Sequence, residues 1–143
     1  MNSQPNPITP STSSPSEYLL LFRGTHWDKG LSPEQIQEIV GKWYAWFERL
    51  SQEGKVKSGQ PLKDEGKIVS GKKGRTVADG PFAESKEAIG GYFLLTVPTI
   101  EEAVVIAQQC PALDYGLTVE VRPVAEQCSV KTRVEEQMAQ ATA

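Results

Sequence analysis

Apolar side chains recur about every three to four residues from 32 to 53, which is typical of an amphipathic helix. The helix begins with a capping box, in which Ser32 is the N-cap, Pro33 takes the first helical position and Gln35 lies three residues on. Gly54 follows as a C-terminal glycine. The apolar stripe comprises Ile36, Ile39, Val40, Trp43, Trp46, Phe47 and Leu50.

Three segments predict β-strands. Residues 17–23 (EYLLLFR) and 91–97 (GYFLLTV) are apolar on both faces, whereas 117–124 (LTVEVRPV) alternates between apolar and polar positions. A strand with two apolar faces is buried on both sides. A second helix is predicted after Pro98, starting at Thr99 and ending before Pro111.

Residues 55–78 hold few apolar side chains and predict short, partly exposed strands, with a turn at 70–74 (SGKKG). The order is therefore strand, helix, short strands, strand, helix, strand. It predicts an α+β fold, a ferredoxin-like sandwich with two main helices on one face of an antiparallel sheet. The apolar strands then need cover on the other face, which a symmetric homodimer of stacked sheets would supply.

Composition divides the chain into a leader, one domain and a tail. Residues 1–16 are rich in Pro, Ser and Thr, and are expected to be disordered rather than a secretory signal. Residues 17–126 make a single domain. Residues 127–143 are polar, with Val130, Val134 and Met138 at the spacing of a short helix before a disordered end.

Charge and cysteine content exclude several partners and sites. A net charge of -3 and the lack of a long apolar run argue against nucleic acid and membrane as partners. Cys110 and Cys128 make no disulfide framework, and with His26 they are too few for a zinc site. No dinucleotide or phosphate-loop motif occurs, so no cofactor and no metal are expected. We expect the cytoplasm as the compartment.

The segment 79–95, DGPFAESKEAIGGYFLL, combines a turn, a charged run and a strand. Asp79 can accept hydrogen bonds from following amides, while Phe82 would anchor the loop in the core. This interpretation as a structural corner is favoured over one in which Asp79 acts at a pocket mouth as a base or ligand anchor. Glu84 and Glu87 share a face with Lys86 nearby, which suits acid-base chemistry but is more typical of a solvated or intersubunit ion-pair set.

Three further side chains are candidates for function. His26 lies in a predicted loop, where Asp28 could orient it as a base. Trp43 could line an aromatic pocket between helix and sheet, although core packing also explains it. Arg122 presents a fork that matches a carboxylate ligand, and a structural ion pair with Glu84 or Asp79 is the alternative.

The stretch DGPFAESKE followed by IGGYFLL resembles the signature of the YCII-related, or DGPF, family, as do the strand-helix start and the ending VEVRPV. The resemblance covers about Glu17 to Val124 and implies a dimeric α+β barrel. Some relatives look like small lyases or dehydrochlorinases that use a His-Asp pair, with the histidine on the first helix. Here that helix has no histidine, and Trp43 or Tyr44 stands at its middle.

Two functions compete on these observations. The first is a dimeric binding or regulatory module whose pocket, rimmed by Asp79, Lys86 and Arg122, holds a small organic or anionic molecule. The second is a cofactor-free lyase or isomerase, in which Asp79 or Glu84 removes a proton and Arg122 stabilises the anion. The missing histidine favours the module. A dimer with no small ligand is a third interpretation.

Overall fold

The computed structural model describes residues 16–81, 85 and 87–142. The predicted leader therefore lies outside the described residues except for Ser16, and so do Phe82, Glu84 and Lys86. The strands are β1 (Ser16–Arg23), β2 (Val56–Pro61), β3 (Lys67–Ser70), β4 (Thr76–Asp79), β5 (Ile89–Val97) and β6 (Thr118–Pro123). The helices are α1 (Pro33–Gln52), α2 (Ile100–Ala107) and α3 (Ser129–Ala141), with short 3-10 turns at Lys72–Gly74 and Leu113–Tyr115.

Four strands form an open antiparallel sheet in the order β2-β5-β1-β6. This order places β1 and β5 at the centre of the sheet. These two strands are the segments that the sequence shows to be apolar on both faces. Helices α1 and α2 connect successive strands, so the fold is the ferredoxin-like α+β arrangement that the element order predicted. Strands β3 and β4 make a separate hairpin between β2 and β5.

Helix α1 forms as its local sequence predicts. The Ser32 hydroxyl accepts from the Gln35 N–H at 3.1 Å, and the Gln35 side chain accepts from the Ser32 N–H at 2.9 Å. Gly54 has a positive φ of 73°, which lets the chain turn out of the helix at low steric cost. On the exposed side, Lys42 and Glu38 form an ion pair one turn apart at 3.7 Å.

The core lies between helices α1 and α2 and one face of the sheet. Leu20 and Leu95, in neighbouring central strands, are fully buried there, as is Trp46 of α1. Ala103, Ile106 and Ala107 bring α2 against the same face. Because every second residue of β1 and β5 points to this side, the helices cover only half of the apolar positions in those strands.

The opposite face of the sheet, which the helices leave uncovered, carries the other half of the apolar positions in β1 and β5. Leu19 and Leu94 are cross-strand partners there, next to the pair Leu21 and Tyr92. All four side chains are partly exposed. Ion pairs flank this apolar centre, with Lys57 and Glu17 2.6 Å apart on one side.

Two elements stay at the periphery of the described chain. All residues of β3 and β4 are exposed, and Lys67 pairs with Asp79 across this hairpin. Helix α3 has no buried residue, and its apolar stripe of Val130, Val134 and Met138 is exposed. The C-terminal segment thus forms a helix that does not join the core.

Candidate functional site

A cavity of about 530 Å³ lies between the middle of α1, strands β2 and β5, and the turn after β1. Its volume falls within the range of about 300 to 1,000 Å³ that is usual for small-molecule sites. Aromatic residues dominate its lining, and these seven are Phe22, Trp27, Trp43, Tyr44, Phe47, Tyr92 and Phe93.

The aromatic wall results from the packing of α1 on the sheet. The Trp43 ring lies edge-to-face with Phe22 at a centroid distance of 5.0 Å, and 6.2 Å from the tilted ring of Trp27. Phe47 packs against Phe93 in the same edge-to-face manner at 5.0 Å. Trp27, Trp43 and Phe47 are only half-buried, so their rings remain available to a ligand.

Glycines keep the floor of the cavity open. A Cβ added at Gly59 would lie 2.8 Å from Cδ1 of Phe93 and 2.9 Å from Cε1 of Phe47. A Cβ at Gly91 would lie 2.9 Å from the carbonyl oxygen of Gln60. Side chains at these positions would displace the aromatic rings or the neighbouring strand, so the cavity depends on both glycines.

The cavity carries a single charge among its described lining residues, the carboxylate of Asp64. Asp64 is exposed at the bend after β2. Within the described part of the chain, no ion pair or hydrogen bond engages this carboxylate. Thr25 and Gln60 are further polar residues of the lining, together with the tyrosines Tyr44 and Tyr92.

A smaller cleft of about 340 Å³ adjoins this cavity and shares Thr25, Leu62 and Asp64 with it. Pro81 of the Asp-Gly-Pro-Phe corner lines this second cleft, as does Lys63. The Gly80–Pro81 peptide is cis, and the Gly80 N–H donates to the Gly66 carbonyl at 3.0 Å. The described residues of the corner, Asp79 to Pro81, therefore border the site region and do not line the aromatic cavity.

The structure separates the residues that the sequence suggested for a site. Trp43 lines the cavity. Asp79 lies on the exposed hairpin in an ion pair with Lys67. Arg122 belongs to the uncovered face of the sheet, where it pairs with Glu120 at 3.3 Å and not with Asp79.

Two other candidates lie apart from the cavity lining. His26 is half-buried in the turn after β1, and its Nδ1 is buried with no hydrogen-bond partner in the described residues. Glu87 is exposed, 3.6 Å from Arg23, which also contacts Glu120 at 3.3 Å. These charges form a cluster on the uncovered face of the sheet. Phe82, Glu84 and Lys86 lie outside the described residues.

Sequence reasoning missed Trp27, Gly59 and Asp64 as site residues. Gly59 did carry a signal, because an isolated glycine within a strand often marks a close approach of other groups. Asp64 carried none, since it lies in a segment rich in Lys and Gly with no recognisable motif. Its relevance comes only from the position of the bend beside the cavity.

The two cysteines differ strongly in their surroundings. Burial raises the pKa of the Cys110 thiol to about 11, so Cys110 behaves as a small core residue. Cys128 is exposed at the start of α3, where the backbone N–H groups of Lys131 and Val130 lower the pKa of its thiol. The first turn of a helix stabilises a thiolate in this way.

We therefore expect Ellman's reagent to modify one thiol per native chain rapidly at pH 8. Cys128→Ser should abolish the rapid phase, whereas Cys110→Ser should leave it intact. The reaction rate of Cys128 should reach half of its maximum at a lower pH than that of an ordinary exposed thiol, because the lowered pKa stabilises its thiolate. Equal modification rates for both cysteines in the native protein would contradict this assignment.

The part of the chain that the structure describes offers neither a metal site nor a membrane span. Across 16–81, 85 and 87–142, no three His, Cys, Asp or Glu side chains converge to hold a metal ion. In the same part of the chain, no helix combines the length and apolar character needed to cross a bilayer.

The fold and the position of the corner agree with the family signature in the sequence. The family model described as the YCII-related domain matches residues 18–127, which is most of the chain. The chain belongs to this family. No curated protein matches it significantly, so membership in the family is the level at which comparison identifies it.

Proposed function

We propose that the protein is a homodimeric module that binds a small, largely apolar organic molecule in the aromatic cavity. The observation that carries this proposal is the cavity itself, which has a volume of about 530 Å³ and is lined by seven aromatic residues. Apolar pockets of this size with a few polar groups are the usual form of small-molecule sites. A larger residue at Gly59 would press on the rings of Phe93 and Phe47, and one at Gly91 would press on the backbone of β2, so both glycines preserve the walls of the cavity.

A binding role is favoured over catalysis by the chemistry of the described lining. Acid-base catalysis needs a titratable group within hydrogen-bond reach of the substrate, and a partner that tunes its pKa. Asp64 is the one carboxylate of the described lining, and it is exposed. No described lining residue is a histidine, and Asp79 pairs with Lys67 away from the cavity.

The dimer is proposed from the uncovered face of the sheet. Leu19, Leu21, Tyr92 and Leu94 form one contiguous apolar patch across β1 and β5. A two-fold axis through this patch would stack two sheets and bury the same residues of both chains. The flanking ion pairs would then form a polar rim, as at other protein interfaces.

Two unpaired cysteines support a reducing compartment, the cytoplasm.

Binding can be tested with N-phenyl-1-naphthylamine, a neutral planar probe whose fluorescence rises in apolar surroundings. We expect saturable binding of one probe per chain, with energy transfer from the half-buried Trp27 and Trp43. Trp43→Leu removes one wall of the cavity and should weaken binding about threefold to tenfold, because one aromatic contact is lost. Tyr115→Leu is the matched control, since Tyr115 is a partly exposed aromatic residue outside the cavity lining.

Thermal melts of both variants at equal protein concentration establish that each remains folded. Saturable binding that Trp43→Leu weakens and Tyr115→Leu leaves unchanged would support the proposal. A probe that does not saturate, or that binds both variants like the unmodified protein, would overturn the assignment of the cavity as a ligand site.

A further inference from the structure

We infer that the ligand of the aromatic cavity is a small organic cation, a flat apolar body bearing an ammonium group. This inference rests on the proposed function, and adds to it the charge of the ligand. Three features of the described residues carry it, namely the partly exposed aromatic rings, the charge of the lining and the location of the basic side chains.

The first feature is the set of rings at the cavity. Trp27 and Trp43 lie 6.2 Å apart with their planes tilted by 34°, and both are half-buried. Tyr44 is one residue further along α1, and its side chain is 72% exposed at the same cavity. Faces of Trp and Tyr attract cations through the ring quadrupole, and sets of such rings bind alkylated ammonium groups. A neutral apolar ligand would gain burial alone from these rings.

The second feature is the charge of the lining. Asp64 is its single charged residue in the described chain, and its carboxylate has no ion pair or hydrogen bond among the described residues. Asp64 lies at the exposed side of the cavity, whereas Phe22 and Phe93 are buried. A cationic ligand would therefore place its flat body against the buried rings and its charged end towards Asp64.

The third feature is the position of the basic residues. An anionic ligand would need Lys or Arg in the lining, and the described lining has neither. Arg122, the anion-binding candidate from the sequence, pairs with Glu120 on the other face of the sheet. Lys63 lines the smaller cleft and not the aromatic cavity.

The test compares a cationic, a neutral and an anionic phenyl compound by displacement of N-phenyl-1-naphthylamine. Phenyltrimethylammonium and tert-butylbenzene differ only in having a positively charged nitrogen or a neutral carbon at one position. 3-Phenylpropionate supplies the anion. We expect the cation to bind about tenfold more tightly than the neutral isostere, because cation–π contacts add to burial. Its affinity should fall as salt is raised, while that of the neutral isostere should not.

Asp64→Asn should weaken binding of the cation about twofold to fivefold, the usual effect of one exposed charge, and leave the neutral isostere unchanged. Glu65→Gln is the matched control, because Glu65 is the adjacent exposed carboxylate and does not line the cavity. This control separates a local effect of Asp64 from a general change in the negative charge of the protein.

The outcomes distinguish the two proposals. Equal displacement by cation and neutral isostere, or stronger displacement by the anion, would overturn the inference while the cavity remains a binding site. Equal losses of cation affinity in Asp64→Asn and Glu65→Gln would also overturn it. If N-phenyl-1-naphthylamine itself fails to bind saturably, the proposed function fails first, and the inference falls with it.

Discussion

Replacing Leu94 with aspartate is expected to convert the proposed dimer into a monomer. Leu94 lies on the uncovered face of the sheet, with Leu19 and Ser58 as its uncharged cross-strand neighbours. An aspartate there would stay solvated in the monomer, but would be buried without a partner between stacked sheets. An uncompensated buried charge costs about 3 kcal/mol or more, and a two-fold axis imposes this cost twice.

Sedimentation equilibrium at micromolar concentration measures this change directly. The unmodified chain should sediment at twice the chain mass of 15.7 kDa, and the Leu94→Asp variant at the chain mass. Val77→Asp is the matched control, because Val77 is a strand residue that is 61% exposed on the hairpin away from the sheet. The proposal of a sheet-stacked dimer would be wrong if the unmodified chain were a monomer, or if Leu94→Asp remained a dimer.

Replacing Trp46 with alanine should cause the largest loss of stability among single substitutions in α1. Trp46 is 2% exposed and lies 4.9 Å from the ring centroid of Phe93. Its Nε1 donates to the side-chain oxygen of Gln109 at 3.2 Å, which links α1 to the end of α2. Truncation of such a residue lowers the free energy of unfolding by about 3 to 5 kcal/mol. That is a large part of the total stability of about 5 to 15 kcal/mol of an ordinary domain.

Urea unfolding at fixed protein concentration would measure this loss in the free energy of unfolding. A thermal melt should show a fall in melting temperature on the order of 10 °C. Tyr44→Ala is the matched control in the same helix, since Tyr44 is 72% exposed and should change stability little. Trp46→Phe keeps a ring in the core but removes the hydrogen bond to Gln109, so its loss should lie between the two. Similar losses for Trp46→Ala and Tyr44→Ala would show that Trp46 does not hold α1 to the sheet.

Much of the fold was predictable because its signals are local. The capping box at Ser32 and the spacing of apolar residues define α1, and strict alternation defines β6 with its partly buried inner face. The doubly apolar segments predicted strands, and they form β1 and β5 at the centre of the sheet. Burial follows from the same patterns, because periodicity states which residues share a face.

Whether the predicted functional residues lie close together depends on distances between elements, and periodicity gives no information about those distances. Arg122 was assigned correctly to the polar face of β6, yet a strand pattern cannot say which face the helices will cover and which will face the cavity. The Asp-Gly-Pro-Phe motif suggested a corner, and Pro81 lines the smaller cleft, but Asp79 extends along the exposed hairpin. Local sequence describes a turn well, whereas its distance from a pocket depends on the whole fold.

The helices and strands, the family signature and the two apolar faces of the central strands could thus be predicted from local sequence patterns. Only the tertiary structure decided that Trp27, Gly59 and Asp64 meet Trp43 at one cavity. The physical reason is that periods of two and 3.6 residues specify directions around a strand or helix axis. Contacts between residues distant in the chain depend instead on how α1 packs against the sheet.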